Sequence, residues 1–472
     1  MARLSFQLLL NSTARYGQGT GKGKQDSMAS TAERMAAGVG FGAFAKAEEL
    51  KKRLWFTLGA LIIYRLGTYL PIPGIDPGAL SDIFSQQSTG ILGMFDMFSG
   101  GALGRMTIFA LNIMPYITAS IIMQLMTAIV PTLEQLKKDG EGGRKQINQY
   151  TRYLTVLLAT VQGYGISVGL ESASGVVSDP GLFFRVTTVT TLVGGTLFLM
   201  WLGEQITSRG VGNGISLIIF SGIVAEVPSA LAGTLELGRT GALSAILIVA
   251  LFAMMIAVIA FIVFIERSIR KIVVQYPKRQ HGNKVFGGDQ SFLPLKINVP
   301  GVIPPIFASS LLLMPVSVIN LTGGQSGGAD WLVTLNALLG RGQPLYLGIY
   351  IGLIVFFAFF YTAIVFNPQD TAENLRKYGG YVPGIRPGKP TADYLDTVLT
   401  RLTVLGAAYL SAVCILPEIL ISQYSVPFYF GGTSLLIVVT MTLDTVGQVQ
   451  SHLLAHQYEG LVKKSKLRGR NR

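Results

Sequence analysis

About ten long apolar segments follow one another between residues 50 and 455, and the basic residues between them are sorted by side. The first segment starts at KKRLWFTLGALIIYRLGTYLPIPG (Lys51–Gly74), led by three basic residues. Suppose that every segment crosses a membrane and that the N-terminus is cytoplasmic. The inside segments then hold 33 of the 38 Lys and Arg, and only Arg65, Arg105, Arg185, Arg239 and Arg341 lie outside. The positive-inside rule selects such a bias, and the bias sets the orientation. A water-soluble fold has no reason to distribute its charge in this way.

A hydrocarbon core roughly 30 Å thick needs about 20 mostly apolar residues per helix. Spans of that kind fit at 54–73, 104–130, 153–172, 183–202, 214–232, 243–265, 300–320, 345–366, 401–421 and 431–450. Ten crossings predict two cytoplasmic termini. Backbone groups in lipid must bond within the chain, so the spans are expected to be helices. Half of the residues are hydrophobic and 13% are charged, against about 25% charged in soluble domains. The net charge of +13 sits beside the span ends. Anionic lipid headgroups or cytoplasmic partners explain it more simply than nucleic acid does. Cys414, the one cysteine, lies within a span, which rules out an intrachain disulfide and a metal site built on cysteines.

Several spans are interrupted where a plain anchor would be continuous. Residues 91–103 (ILGMFDMFSGGAL) are too short to cross, and Gly100-Gly101 reads as a hinge before the next helix. Pro115 lies inside the second span, RGVGNGIS (Arg209–Ser216) opens the fifth, and VPGVIPPIF (Val299–Phe307) opens the seventh. Kinked helices at membrane depth are tolerated where they pack in protein or line a cavity, so the breaks point to a pathway. Two long basic inner loops, 266–299 and 367–400, read as a docking surface. The loops divide the chain into five-span halves, 46–240 and 241–455, flanked by tails at 1–45 and 456–472. Five is odd, so the second half is expected to be inverted relative to the first, an arrangement common in transporters and channels.

Motifs for other chemistries do not hold up. GQGTGKGK (Gly17–Lys24) lacks P-loop spacing. GISVG (Gly165–Gly169) has the serine-hydrolase pattern, but His281, His452 and His456 all fall on the opposite side from Ser167. His452, His456 and Glu459 share a helical spacing, which reads as a solvated tail helix rather than a metal site. An ion-coupled transporter needs buried ionisable groups. Here Arg65, Glu204, Glu266 and Asp444 are all near span ends. That pattern suits a passive pore driven by an external motor, with a secondary transporter for a small solute as the alternative.

The chain also carries YLPIPGI (Tyr69–Ile75), MFSGGALGRMTIFALNIMPYITASII (Met97–Ile122), QYTRY (Gln149–Tyr153) and LFLMWLGEQITSRGVGNGIS (Leu197–Ser216). Further on come GVIPPIFASS (Gly301–Ser310), FFYTAIVFNP (Phe359–Pro368), VPGIRPGKPT (Val382–Thr391) and VPFYFGGTSLLIVV (Val426–Val439). In this order, from about residue 48 onward, they resemble the SecY family of bacterial protein-translocase channel subunits. FAKAEELKKR (Phe44–Arg53) looks most like alphaproteobacterial members.

The resemblance implies an all-α membrane protein with ten transmembrane helices, a clamshell of two pseudo-symmetric inverted five-helix halves. It implies a channel for unfolded preproteins in the bacterial inner membrane, with no enzymatic activity, cofactor or metal. The pore ring would be Ile113, Ile117, Ile219, Ile306 and Ile437, an apolar constriction that dewets against ions and parts around a peptide. The plug would be 91–103, with Ile91, Phe95, Asp96, Phe98, Gly100 and Gly101; Asp96 makes it more acidic than in many members. Spans two and seven would form a lateral gate through which signal sequences reach lipid, with Thr118, Gln124, Ser309, Ser310 and Met314 at the seam. Small and polar residues there permit close, reversible helix contact. Lys278, Arg279, Lys284, Arg386 and Lys389 would dock the SecA motor or the ribosome, although KRQHGNK (278–284) has Asn283-Lys284 where a double arginine is expected. Other implied partners are SecE- and SecG-like small subunits, an insertase, accessory subunits and anionic lipids.

The N-terminal 45 residues are rich in Gly, Ala, Ser and Thr, and Met28 opens a plausible start of its own. Residues 1–27 carry no apolar face large enough to pack, as expected of a flexible tail. A chain beginning at Met28 is expected to support growth as well as the full chain does in a complementation assay. Loss of growth would make residues 1–27 a targeting or docking element.

Overall fold

Ten long helices occupy the ten apolar stretches in the computed structural model of this chain, which describes residues 47–76, 78–80, 96, 99–172, 175–241, 244–277, 279–281, 284–286, 290–321, 343–424 and 432–469. In chain order they are α1 (Glu48–Gly67), α2 (Met114–Ile129), α4 (Glu141–Ser172), α5 (Leu182–Arg209), α6 (Gly214–Arg239), α7 (Ala245–Arg267), α8 (Ile303–Leu321), α9 (Pro344–Val365), α11 (Lys389–Tyr424) and α12 (Gly432–Gly469). Two short helices, α3 (Pro131–Lys138) and α10 (Pro368–Lys377), follow α2 and α9 at the end of the bundle that carries the basic loops. Among the described residues, seven helices are long and apolar enough to cross a membrane by themselves, and α2 with α3 forms a further candidate bent by 99°. The expectations for the tail at 1–45 fall outside the described residues.

The bundle is apolar outside as well as inside. Phe183 and Ile246 are 84% and 83% exposed, and Trp55, Ile62, Leu66, Val249, Ile256 and Phe264 also face outward. Very little of α7 is covered by the rest of the chain. A helix that is hydrophobic all round is stable only in an apolar surrounding. Inside, α4 packs on α2, α5 and α8, α9 packs on α8 and α11, and α12 packs on α6, α7 and α11. One large apolar cluster joins Tyr64, Phe109, Leu199, Ile218, Phe307, Tyr350, Leu410 and Leu436.

Several boundaries differ from the sequence expectation: α11 starts at Lys389 instead of 401, α12 runs on to Gly469 and takes in most of the expected tail at 456–472, and two further differences bear on packing. The second span was expected to be helical over 104–130, but residues 101–113 form consecutive turns and the helix starts at Met114. Pro115 therefore stands in the first turn of α2, where its missing N–H costs nothing. The turns instead pair with the chain leaving α1: the Ile72 N–H donates to Met106 O at 3.0 Å, and the Ile108 N–H donates to Leu70 O at 3.0 Å. The second difference is that α4 starts about a dozen residues before the expected span, so at 1.5 Å rise per residue it projects about 18 Å beyond it.

The glycine-rich RGVGNGIS turn reverses the chain between α5 and α6. Gly212 has φ +93°, a conformation other residues adopt only with strain. Its N–H donates to Gln448 Oε1 at 2.9 Å, while the Val211 N–H donates to Thr57 Oγ1 at 3.0 Å. The turn is thus held by α12 and α1. Asn213 caps α6 by accepting from the Ile215 N–H.

The loop at 266–299 holds regular structure that the sequence reading left as loop. Strands β1 (Ile269–Gln275) and β4 (Gln290–Lys296) pair antiparallel, with Ile269 opposite Lys296 and Gln275 opposite Gln290. A smaller hairpin, β2 (Arg279–His281) with β3 (Lys284–Phe286), lies between them. Alternation puts Ile272, Val274, Leu293 and Leu295 on a buried face, where they join Leu375 of α10, Val382, and Leu395 and Leu399 of α11. Gln275 and Tyr381 exchange backbone hydrogen bonds at 2.8 and 2.9 Å, so the two basic loops form one packed body.

A Cβ placed on Gly214 would overlap the carbonyl of Gly203. Gly214→Ala is therefore expected to destabilise the protein by about 1–3 kcal/mol through overpacking, lowering the thermal unfolding midpoint in detergent. Gly233→Ala, which meets open space inside α6, is expected to keep the midpoint or raise it slightly, because Ala favours a helix interior over Gly.

Candidate functional site

The apolar centre of the bundle is built where a helix break brings its last residue inward. Ile113 ends the turns before α2, and its carbonyl accepts from the Ile117 N–H at 3.1 Å. Residues four apart lie on one face of a helix, so Ile117 repeats the surface that Ile113 begins. Ile219 stands one turn into α6, Ile437 one turn into α12 and Ile306 at the start of α8. Ile113, Ile117, Ile219 and Ile437 are buried in the large apolar cluster, and Ile306 is half-buried against it. All five isoleucines singled out in the sequence thus belong to one apolar body drawn from four elements.

Above this body lies a polar arrangement that the sequence reading did not assemble. Gly100 and Gly101 both have left-handed φ, +67° and +79°, and Gly100 lies close to Gly222 of α6. The Gly100 carbonyl accepts from Arg65 Nη1 at 3.1 Å and from Arg105 Nη2 at 3.4 Å. Arg105 also stands over the Tyr69 ring at 4.4 Å and 3.9 Å from Glu226 of α6. The Tyr64 hydroxyl donates to Ser99 O at 3.2 Å. An ion pair this exposed contributes little alone; the geometry matters because three separate segments meet at one hinge. The signal available in the sequence was the presence of Arg65, Arg105 and Glu226 within otherwise apolar stretches.

Asp96 belongs to the same hinge. Its Oδ1 accepts from the Gly104 N–H at 2.6 Å and its backbone carbonyl from the Ser99 hydroxyl at 2.8 Å. Burial pushes its carboxyl up from the usual carboxylate range, against the Gly104 hydrogen bond, which pulls it down. Ile91, Phe95 and Phe98 lie outside the described residues.

The expected seam is a contact of α2 with α8. Its hydroxyl groups, however, serve their own helices: Thr118 Oγ1 donates to Met114 O at 3.1 Å, and Ser309 and Ser310 both donate to Ile306 O. Such back-bonding satisfies a buried hydroxyl without a cross-helix partner, so little but packing crosses the described part of the seam. Gln124 Nε2 donates to Ser120 Oγ at 3.2 Å, while its Oε1 is buried without a partner among the described residues. Met314 lies on α8, beyond the last residue of that helix whose side chain is described.

At the basic-loop end, Arg279 and Lys284 fall on β2 and β3, and Lys278 lies outside the described residues. Arg386 and Lys389 are exposed. Thr391 Oγ1 donates to Arg386 O at 2.8 Å, fixing the turn between Val382 and α11. The Gln275–Tyr381 pairing joins this turn to the hairpin.

A protein-family model described as SecY matches residues 107–446. The chain is 55% identical over 424 residues to a protein translocase subunit SecY of Rickettsia bellii, covering 89% of this chain and 97% of the relative. A solved structure described as that of a protein conducting channel superposes with TM-score 0.61 at 19% identity, covering 85% of this chain and 92% of that one. Sec61 from the canine ribosome-channel complex superposes with TM-score 0.58 at 18% identity, covering 85% and 92%. The two structures share the fold with this chain; the family model and the close relative carry the assignment, by which this chain, a multi-pass membrane protein of ten long helices, belongs to the SecY family.

Proposed function

We propose that this chain is the central protein-conducting channel of a Sec-type translocase in a bacterial inner membrane. In this reading it passes unfolded preproteins across the membrane and releases transmembrane segments sideways into lipid. The observation that carries the proposal is the match along nearly the whole chain to a relative named as a protein translocase subunit. Both termini are cytoplasmic, as the distribution of basic residues favours, so the packed body of hairpin, α10 and the Arg386 turn faces the cytoplasm. The halves 46–240 and 241–455 close around Ile113, Ile117, Ile219, Ile306 and Ile437. Their burial in one apolar cluster suits a dewetted seal. The segment 91–103 is the plug, and the contacts of Arg65 and Arg105 with Gly100 hold its base. Helices α2 and α8 form the lateral gate, and a seam held mainly by packing can part without breaking cross-helix hydrogen bonds.

The exposed cations Arg386 and Lys389, with Lys278, Arg279 and Lys284, dock a SecA-like motor or a ribosome. SecE- and SecG-like subunits and lipid cover the apolar outer faces of α1 and α7. The chain has no catalytic role of its own; the motor supplies the energy.

Reconstitution with the small subunits, the motor and ATP tests the reading. An unfolded preprotein is expected to enter the vesicles, and Arg386→Glu is expected to slow its entry while assembly stays normal. Charge reversal at a desolvated contact costs several kcal/mol. Specific uptake of a small solute without preprotein transport would overturn the proposal. Replacing Ile113 and Ile437 together by Asn is expected to produce a resting ion leak in planar bilayers, because polar side chains let water persist at the waist. Unchanged conductance would remove these two residues from the seal.

A further inference from the structure

Glu266 is the penultimate residue of α7 and is buried. One residue later the chain leaves for the hairpin, and at Ile297 it returns: the Ile297 N–H donates to Ser268 O at 3.2 Å, just below the first strand pair, Ile269 with Lys296. The next residue, Asn298, is 2% exposed. Its Nδ2 donates to Glu266 Oε1 at 2.6 Å and to Gly301 O at 3.1 Å. Gly301 has φ +64° and carries the turn that launches α8. A Cβ on Gly406 of α11 would come within 3.2 Å of Ile297 O and 3.6 Å of the Asn298 Cα, so the junction is closed from that side too.

Three pieces meet at this one amide. Above it is the hairpin, made stiff by seven strand pairs and by the apolar core it shares with α10 and α11. Below it is Asn298–Val302, whose Pro300 and Gly301 would otherwise make a loose tether. Beside it is α7, which offers a carboxylate. A charge-assisted hydrogen bond of this length is roughly twice as strong as a neutral one, and removing one buried partner costs the full desolvation of the other. The bond therefore ties the end of α7 to the turn that starts α8, at the root of the hairpin.

We propose that Glu266 and Asn298 are positioning residues that clasp the root of the hairpin to the head of α8, so that a load on the hairpin shifts α8 against α2. The inference rests on the reading above, in which the hairpin docks the motor and α8 is a gate helix. Neither residue touches the motor or the preprotein in this account; they act through α8.

The test uses the full chain reconstituted with its small subunits, the motor and ATP, with transport rates normalised to assembled channel. Asn298→Asp sets two carboxylates face to face. Its maximal transport rate is expected to fall at least about five-fold, the lower range of site-to-site coupling, while the motor concentration giving half-maximal rate stays unchanged. Adding Glu266→Gln restores a donor opposite an acceptor, and the double variant is expected to recover to within about two-fold of the parent. Should the Asn298→Asp variant fail to assemble, Glu266→Leu is measured with the same expectation for rate and motor concentration. The clasp is overturned if the single variant transports normally, if the double variant stays as slow as the single, or if the loss comes from a raised half-maximal motor concentration. Failure of the unaltered chain to transport would instead sink the proposed function.

Discussion

No water reaches the interior of a bilayer, so every backbone N–H and C=O at that depth must find its partner inside the protein. Most of this chain meets the demand with unbroken helices. The segment 101–113 meets it without one. Thr107, Ala110 and Asn112 donate within consecutive turns, and the strand-like exchange with residues 70–72 takes up much of the rest. Such a segment survives only if it is walled in, and Leu103, Met106, Phe109, Ala110 and Leu111 are accordingly buried. The break therefore cannot face lipid. It faces the bundle interior and delivers Ile113 to the same apolar body as Ile219 and Ile437.

Ionisable groups at the edges of that interior obey the same rule in sharper form. An unpaired charge there costs far more than an unpaired amide. Arg65 and Arg105 accordingly share the Gly100 carbonyl at one end of the bundle, and Glu266 takes the Asn298 amide at the other. Each arrangement joins elements that are remote in the chain and lies beside a glycine of positive φ. A bend is held in place by a small number of polar contacts in both cases.

The body formed by the hairpin, α10 and the Arg386 turn follows another logic. Outside the hydrocarbon it needs a core of its own, and the alternating apolar residues of β1 and β4 supply one face of it. Because it has such a core, this body is one packed unit rather than a set of loose loops. Along the chain, it joins α8 through the root of the hairpin, where the Ile297 N–H donates to Ser268 O.

Hydropathy is a local property, and it was enough to locate ten helices, their order, the side on which the basic loops gather and the places where Gly and Pro interrupt a span. Family motifs such as VPGIRPG and VPFYFGG added an architecture that hydropathy alone left open. Tertiary structure alone decided that 104–113 is not helical although it is apolar, since Pro115 can stand equally inside a kinked helix or at the head of a new one. It also decided that the 266–299 loop folds as a hairpin on Tyr381, and that Thr118, Ser309 and Ser310 bond to their own helices instead of across the seam. Tertiary structure alone brought Arg105 to Glu226 and Asn298 to Glu266. The long-range outcomes among these depend on which distant residues come within about 3–4 Å of one another, the range of hydrogen bonds and ion pairs, and a one-dimensional pattern of apolar and charged residues carries no such distances.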